Sequence, residues 1–179
     1  MAEHVFPLLG SWLAAPLRRG SFRGTPLLGD ALYRDDLLVV NLRGQEILQD
    51  SEVMFYMQPP CVHFVRVATT GNGGQPFREL VLVGDDAKHP CIPPLKAHFP
   101  DARELFPSES LPNGLVATQA TFLALLSAKH LAASTGSTFG IGAALLNPYH
   151  GEVNIHYPVF RGPEPLCCEM GFSKARLEH

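Results

Sequence analysis

Two kinds of apolar run alternate along this 179-residue chain, and their order predicts the fold. Leu37-Leu38-Val39-Val40-Asn41-Leu42 and Leu80-Val81-Leu82-Val83 are short and almost unbroken, the pattern of strands buried on both faces. Strands are predicted at Leu37–Leu42, Glu79–Gly84, Ala102–Phe106, His130–Ser134 and Val153–Tyr157. Between them lie helical stretches: Pro59–Val67, with prolines suited to a first turn; Cys91–Phe99, with Pro93-Pro94 near its start; Leu115–Ala128; and Ser137–Leu146. Strands alternating with helices predict an α/β, Rossmann-like, doubly wound and mostly parallel sheet of about five strands with flanking helices.

Breaks in the pattern set the boundaries. Residues 1–35 hold a short helix over Val5–Leu17 and a Gly/Pro/Arg-rich connector, an arm or the remnant of a second domain. Residues 36–176 form the Rossmann-like domain, and Leu177-Glu178-His179 reads as an expression-tag remnant. Gly71-Asn72-Gly73-Gly74 predicts a turn before the second strand, and Pro107–Gly114 a polar loop.

Composition narrows the class without changing this picture. An apolar share of 46% with 17% charged residues is ample for a core. Net charge of −3 gives no field that would draw nucleic acid, so phosphate contacts must be local. No run of ~18 apolar residues predicts a membrane segment. Cys61, Cys91, Cys167 and Cys168 show neither a C-x-x-C pair nor a regular spacing with the eight histidines. We expect no zinc site and no disulfide framework, reduced and mostly buried thiols, and by default a soluble cytoplasmic protein.

The chemistry gathers where strands end. Open α/β sheets bind ligands in the crevice at the carboxyl ends of their strands, and Arg43 stands there, directly after the first strand. Its guanidinium suits a phosphate, although a strand-end arginine often serves only a surface carboxylate. Asp85 and Asp86 follow the second strand, where a carboxylate accepts hydrogen bonds from a ribose or base edge; helix capping is an equal alternative for Asp86. Ser134-Thr135-Gly136-Ser137-Thr138-Phe139-Gly140 opens the last helix and offers hydroxyl and amide donors at its amino end, while capping alone would also account for Ser137 or Thr138. Gly140 and Gly142 inside that helix cost ~1 kcal/mol each against alanine, which predicts close approach of the sheet or a ligand.

Neither G-x-G-x-x-G after the first strand nor G-x-x-x-x-G-K-[ST] occurs, which removes the dinucleotide and P-loop fingerprints. No G-x-S-x-G elbow supports an α/β-hydrolase. His63, His89 and His130 are candidate bases, each more ordinarily a packed or surface residue. Asp85, Asp86 and His89 together form a weak candidate metal set for a hydrolytic enzyme.

In order, LLVVNLRGQEI over 37–47, Tyr56-Met57-Gln58-Pro59-Pro60, LVLVGDDAKHP over 80–90 and the Ser134–Leu146 stretch resemble successive segments of fucosyltransferase-like glycosyltransferases. The shared pattern is a strand ending in His-x-Arg-x-Gly-Asp, a Gln-Pro-Pro before a helix, an acidic strand end, and a Ser-Ser/Thr-Phe turn opening a helix. The resemblance implies the nucleotide-sugar-binding Rossmann half of a GT-B-like fold. Arg43 would hold the donor's diphosphate, with Asn41 and Gly44 beside it; Ser137, Thr138 and Phe139 would face the same diphosphate, and Asp85 and Asp86 the nucleoside. It also implies metal-independent transfer from a nucleotide sugar, a GDP-sugar such as GDP-fucose before a UDP-sugar, to a glycan or other hydroxyl acceptor, with no further cofactor. Arg43 and Glu46 are then the candidate catalytic residues. Asn41 stands where the family has His, and Gln45-Glu46 where it has Gly-Asp. Those differences leave open a non-catalytic module that binds the donor or serves assembly, and an apolar face left by the missing half predicts a homodimer.

Overall fold

A computed structural model describes residues 32–44, 59–106, 117–133, 138–147, 154–160 and 170–176. It contains β1 (Leu37–Leu42), α1 (Cys61–Thr70), β2 (Glu79–Gly84), α2 (Ile92–His98), β3 (Arg103–Leu105), α3 (Ala117–Ser127), β4 (His130–Ala132), α4 (Thr138–Leu145), β5 (Asn154–Phe160) and β6 (Met170–Arg176). The sheet runs β3-β2-β1-β4-β5-β6, the Rossmann order. Five strands are parallel; β6 pairs antiparallel with β5 along the edge. The fold is thus α/β and Rossmann-like, with helices on both faces.

Every residue of β1 is buried, because alternate side chains enter two separate cores. Leu37 and Val39 join Val81, Val83, Leu131 and Ile155 on the face covered by α3 and α4. Leu38, Val40 and Leu42 join Leu80, Leu82 and Ala132 on the face covered by α1 and α2. β1 and β2 pair in register from Leu37–Glu79 to Leu42–Gly84, so their carboxyl ends finish side by side. At that end a Cβ built on Gly84 would lie 2.0 Å from the Leu42 carbonyl oxygen, which leaves glycine as the residue that fits.

The opposite rim is held by charge. Arg34 makes a bidentate pair with Asp36 at 2.8 and 2.7 Å and reaches Glu79 at 2.8 Å, and these partners raise its pKa. Lys129 pairs with Asp35 at 2.8 Å, which holds the Asp35 carboxyl below its usual range.

Helix boundaries differ from the sequence pattern for local reasons. α1 starts after Pro60 and runs on to Thr70, where Thr69 and Thr70 donate to the Val65 and Arg66 carbonyls at 2.8 Å. Gly73 and Gly74, at φ +61° and +88°, make the turn read from the glycine cluster. β6 has no counterpart among the predicted strands. β5 also runs three residues beyond its predicted end, through Pro158, in antiparallel pairing with β6.

The expectation about the cysteines fails. Cys61 and Cys91 are joined in a disulfide, Cα to Cα 4.9 Å, linking the first residue of α1 to the residue that caps α2. Spacing concealed it because the two cysteines, 30 positions apart, meet only when helices that follow adjacent parallel strands pack together. The expectation of reduced thiols fails for this pair, and the cytoplasmic placement loses its premise there, since disulfides persist mainly in oxidising compartments. A Cβ built on Gly142 meets nothing within 4 Å among the described residues, so packing against the sheet does not account for that glycine. Among the described residues no helix is long and apolar enough to cross a membrane. Val62, 66% exposed, is the large apolar side chain left in water among them, and one such residue is ordinary rather than a docking face. The predicted amino-terminal helix, the 107–114 loop, Cys167, Cys168 and residues 177–179 lie outside the described residues.

Candidate functional site

The turns that follow β1 and β2 lie against each other. Arg43, half-buried, is the first residue beyond β1, and the amide of Gly44 donates to Asp85 Oδ1 at 2.6 Å. A Cβ on Gly44 would come within 2.5 Å of the Asp86 Cβ, so glycine lets the two turns touch. Asp86 Oδ1 accepts the Lys88 amide at 2.8 Å and the Asp86 carbonyl accepts the His89 amide at 3.2 Å. Asp86 therefore closes its own turn. It does not cap α2, whose cap is Cys91.

His89 completes the arrangement from below. It is 1% exposed. The Cys91 amide, which can only donate, points at Nδ1 at 3.1 Å, so a neutral ring carries its proton on Nε2. Nε2 lies 3.2 Å from the Arg43 carbonyl oxygen and donates to it. Burial lowers the His89 pKa against the raising effects of the Arg43 carbonyl, Asp86 and Asp85, consistent with a neutral imidazole.

The metal alternative drawn from Asp85, Asp86 and His89 is not what this geometry makes. Both ring nitrogens of His89 are taken by the main chain and each carboxylate holds a main-chain amide, so the three do not converge on an ion. Among the described residues no group of three or more metal-ligating side chains forms. His63, His89 and His130 are all buried, which suits packing better than proton exchange with a substrate. Burial, with Arg66 nearby, pushes His63 down to about 4.

No family model, curated protein or solved structure matches the chain.

The remaining candidates divide. Asn41 is 4% exposed on β1, on the face it shares with Leu37 and Val39, beneath the turn rather than in it. Phe139, in the first turn of α4, is half-buried with its ring 5.1 Å from Phe122, packed on the α3 core. Thr138 opens α4, placing the start of that helix after β4, which neighbours β1. The Thr138 side chain, Ser137, Gln45 and Glu46 lie outside the described residues. The structure thus gathers Arg43, Gly44, Asp85 and Asp86, places Asn41 within β1 beneath them, and packs Phe139 on the α3 core.

Sequence reasoning missed the brace that His89 makes and the disulfide behind it. One signal was available: Pro60-Cys61 and Pro90-Cys91 both introduce helices after the two most apolar strands, which are neighbours in a parallel sheet.

Proposed function

We propose that this protein binds a nucleoside diphosphate sugar at the carboxyl ends of β1 and β2 and transfers the sugar to a hydroxyl acceptor. The observation that carries the reading is the contact of the Arg43-Gly44 turn with the Asp85-Asp86 turn, which puts a cation and two carboxylates at one rim. It is joined by the order of sequence segments that resembles fucosyltransferase-like enzymes.

In this reading Arg43 forks onto the diphosphate and offsets the charge that grows as the nucleotide leaves. Helix α4, beginning after β4, adds the positive end of its dipole. Asp85 and Asp86 take the nucleoside. Guanine offers two neighbouring N–H donors, which match a carboxylate, whereas uracil offers a single donor between two acceptors; this favours a GDP-sugar. Glu46, four positions after β1 in the sequence, takes the acceptor's proton in this reading.

A second reading, a module that binds the donor without transfer, is favoured by Asn41, a buried amide where the resembled family has His. Calorimetric titration with GDP, UDP and their sugars tests binding. Micromolar GDP affinity lost at least about tenfold, ~1.4 kcal/mol, in Arg43→Ala is expected; no heat with any nucleotide, or an unchanged Arg43→Ala, overturns it. Donor turnover in the same samples separates the enzyme from the module.

A further inference from the structure

We propose that His89 is the positioning residue of the anion-binding turn: through its Nε2–H it holds the Arg43 carbonyl, and so fixes how residue 43 leaves β1. The inference rests on the proposed donor site for its consequence, but its geometry stands apart from it.

Three observations point the same way. His89 lies within hydrogen-bond distance of main-chain groups 46 and 2 positions away, Arg43 and Cys91, and touches no solvent to speak of at 1% exposure. Its ring direction is set from the other side, because the Cys91 amide occupies Nδ1 and leaves the proton on Nε2. Cys91 is itself anchored covalently to Cys61 at the start of α1, so the support behind the ring is tied to the two helices that pack on this side of the sheet. The Arg43 peptide is thereby held on both sides: its carbonyl by His89, and the next amide, that of Gly44, by Asp85 at 2.6 Å. A guanidinium whose backbone origin is already fixed loses less freedom when it forks onto a diphosphate, so a residue that touches no ligand contributes to the affinity.

Two substitutions split the two bonds of the ring. In His89→Gln the side-chain amide reaches as far as Nε2 and keeps a donor for the Arg43 carbonyl, losing the acceptor for Cys91. In His89→Asn the side-chain oxygen stands near the Nδ1 position and keeps the acceptor for Cys91, losing the donor for Arg43. GDP titration and amide hydrogen exchange at Gly44 are measured on both and on the wild type. Expected is GDP affinity within about threefold of wild type in His89→Gln, at least about tenfold weaker in His89→Asn, with Gly44 exchange faster only in the latter. Equal affinities together with equal Gly44 exchange overturn the positioning role. If the wild type ignores GDP, the donor reading fails alone, and Gly44 exchange still decides the brace. Should either variant not fold, nitrogen-15 imidazole spectra of the wild type decide it: a proton on Nδ1 of His89 refutes the arrangement, and one on Nε2 bears it out.

Discussion

The amide of Gly44 donates to the Asp85 carboxylate at 2.6 Å across 41 positions of sequence. This bond joins the ends of two central parallel strands at the rim where a Rossmann-like sheet takes its ligand. Removing the acceptor in Asp85→Ala takes the partner from the amide of buried Gly44, with an expected loss of about 1–3 kcal/mol in urea denaturation. GDP affinity falls with it in the proposed site; an affinity that survives the stability loss separates the carboxylate's two roles.

Gly84 pairs with Leu42 at the carboxyl end of the β1–β2 register. In Gly84→Ala the new methyl would sit 2.0 Å from the Leu42 carbonyl oxygen, and rigid backbone cannot yield as a side chain would. A loss of about 3 kcal/mol is expected, read as a lower urea midpoint at unchanged slope.

Gly142 gives the opposite sign. A methyl there meets nothing within 4 Å among the described residues, and the helix gains the propensity that glycine lacks. Gly142→Ala should stabilise by about 0.5–1 kcal/mol, seen as a higher midpoint in the same denaturation series.

The disulfide closes a segment with a sequence separation of 30. Chain entropy alone assigns such a link about 3–4 kcal/mol, so the double substitution Cys61→Ala with Cys91→Ala should lower the melting temperature clearly. A strong dithiol reductant added to the wild type should produce a comparable drop; no change in either would mean that the link constrains nothing in the unfolded chain.

Acid should weaken the fold through its buried histidines. Unfolded, His63 titrates near 6.5; folded, burial holds it to about 4. Between those values the unfolded state carries more protons, so stability is greatest above the upper one and declines as pH falls toward the lower. The decline amounts to about 3 kcal/mol for His63, and His89, also lowered by burial, adds in the same direction. Thermal denaturation from pH 7 to pH 4 checks it, with His63→Gln expected to flatten the slope in part.

How much of this was legible in the residues varies from element to element. β1 and β2 were predicted at the bounds they occupy, because a strand buried on both faces must be apolar throughout and that pattern is local. β3 and β4 were placed to within two residues of each end. β6 was invisible: Met170–Arg176 mixes glycine, serine, lysine and arginine, and its strand form comes from pairing with β5 rather than from its own pattern. Arg43, Gly44, Asp85 and Asp86 were singled out correctly as strand-end residues, but the hydrogen bond that binds their turns was not a property of either segment.

The sequence by itself determined that this chain alternates buried strands with helices and that its cation and carboxylates stand just past strand ends, since apolar periodicity and strand termini are read within a few residues. Only the tertiary structure decided that Asp85 serves the Gly44 amide, that His89 carries the Arg43 carbonyl, and that Cys61 meets Cys91. Each of those bonds joins residues that strand order and helix packing bring together, and hydrogen bonds and disulfides form wherever donors, acceptors and thiols meet, whatever their distance along the chain.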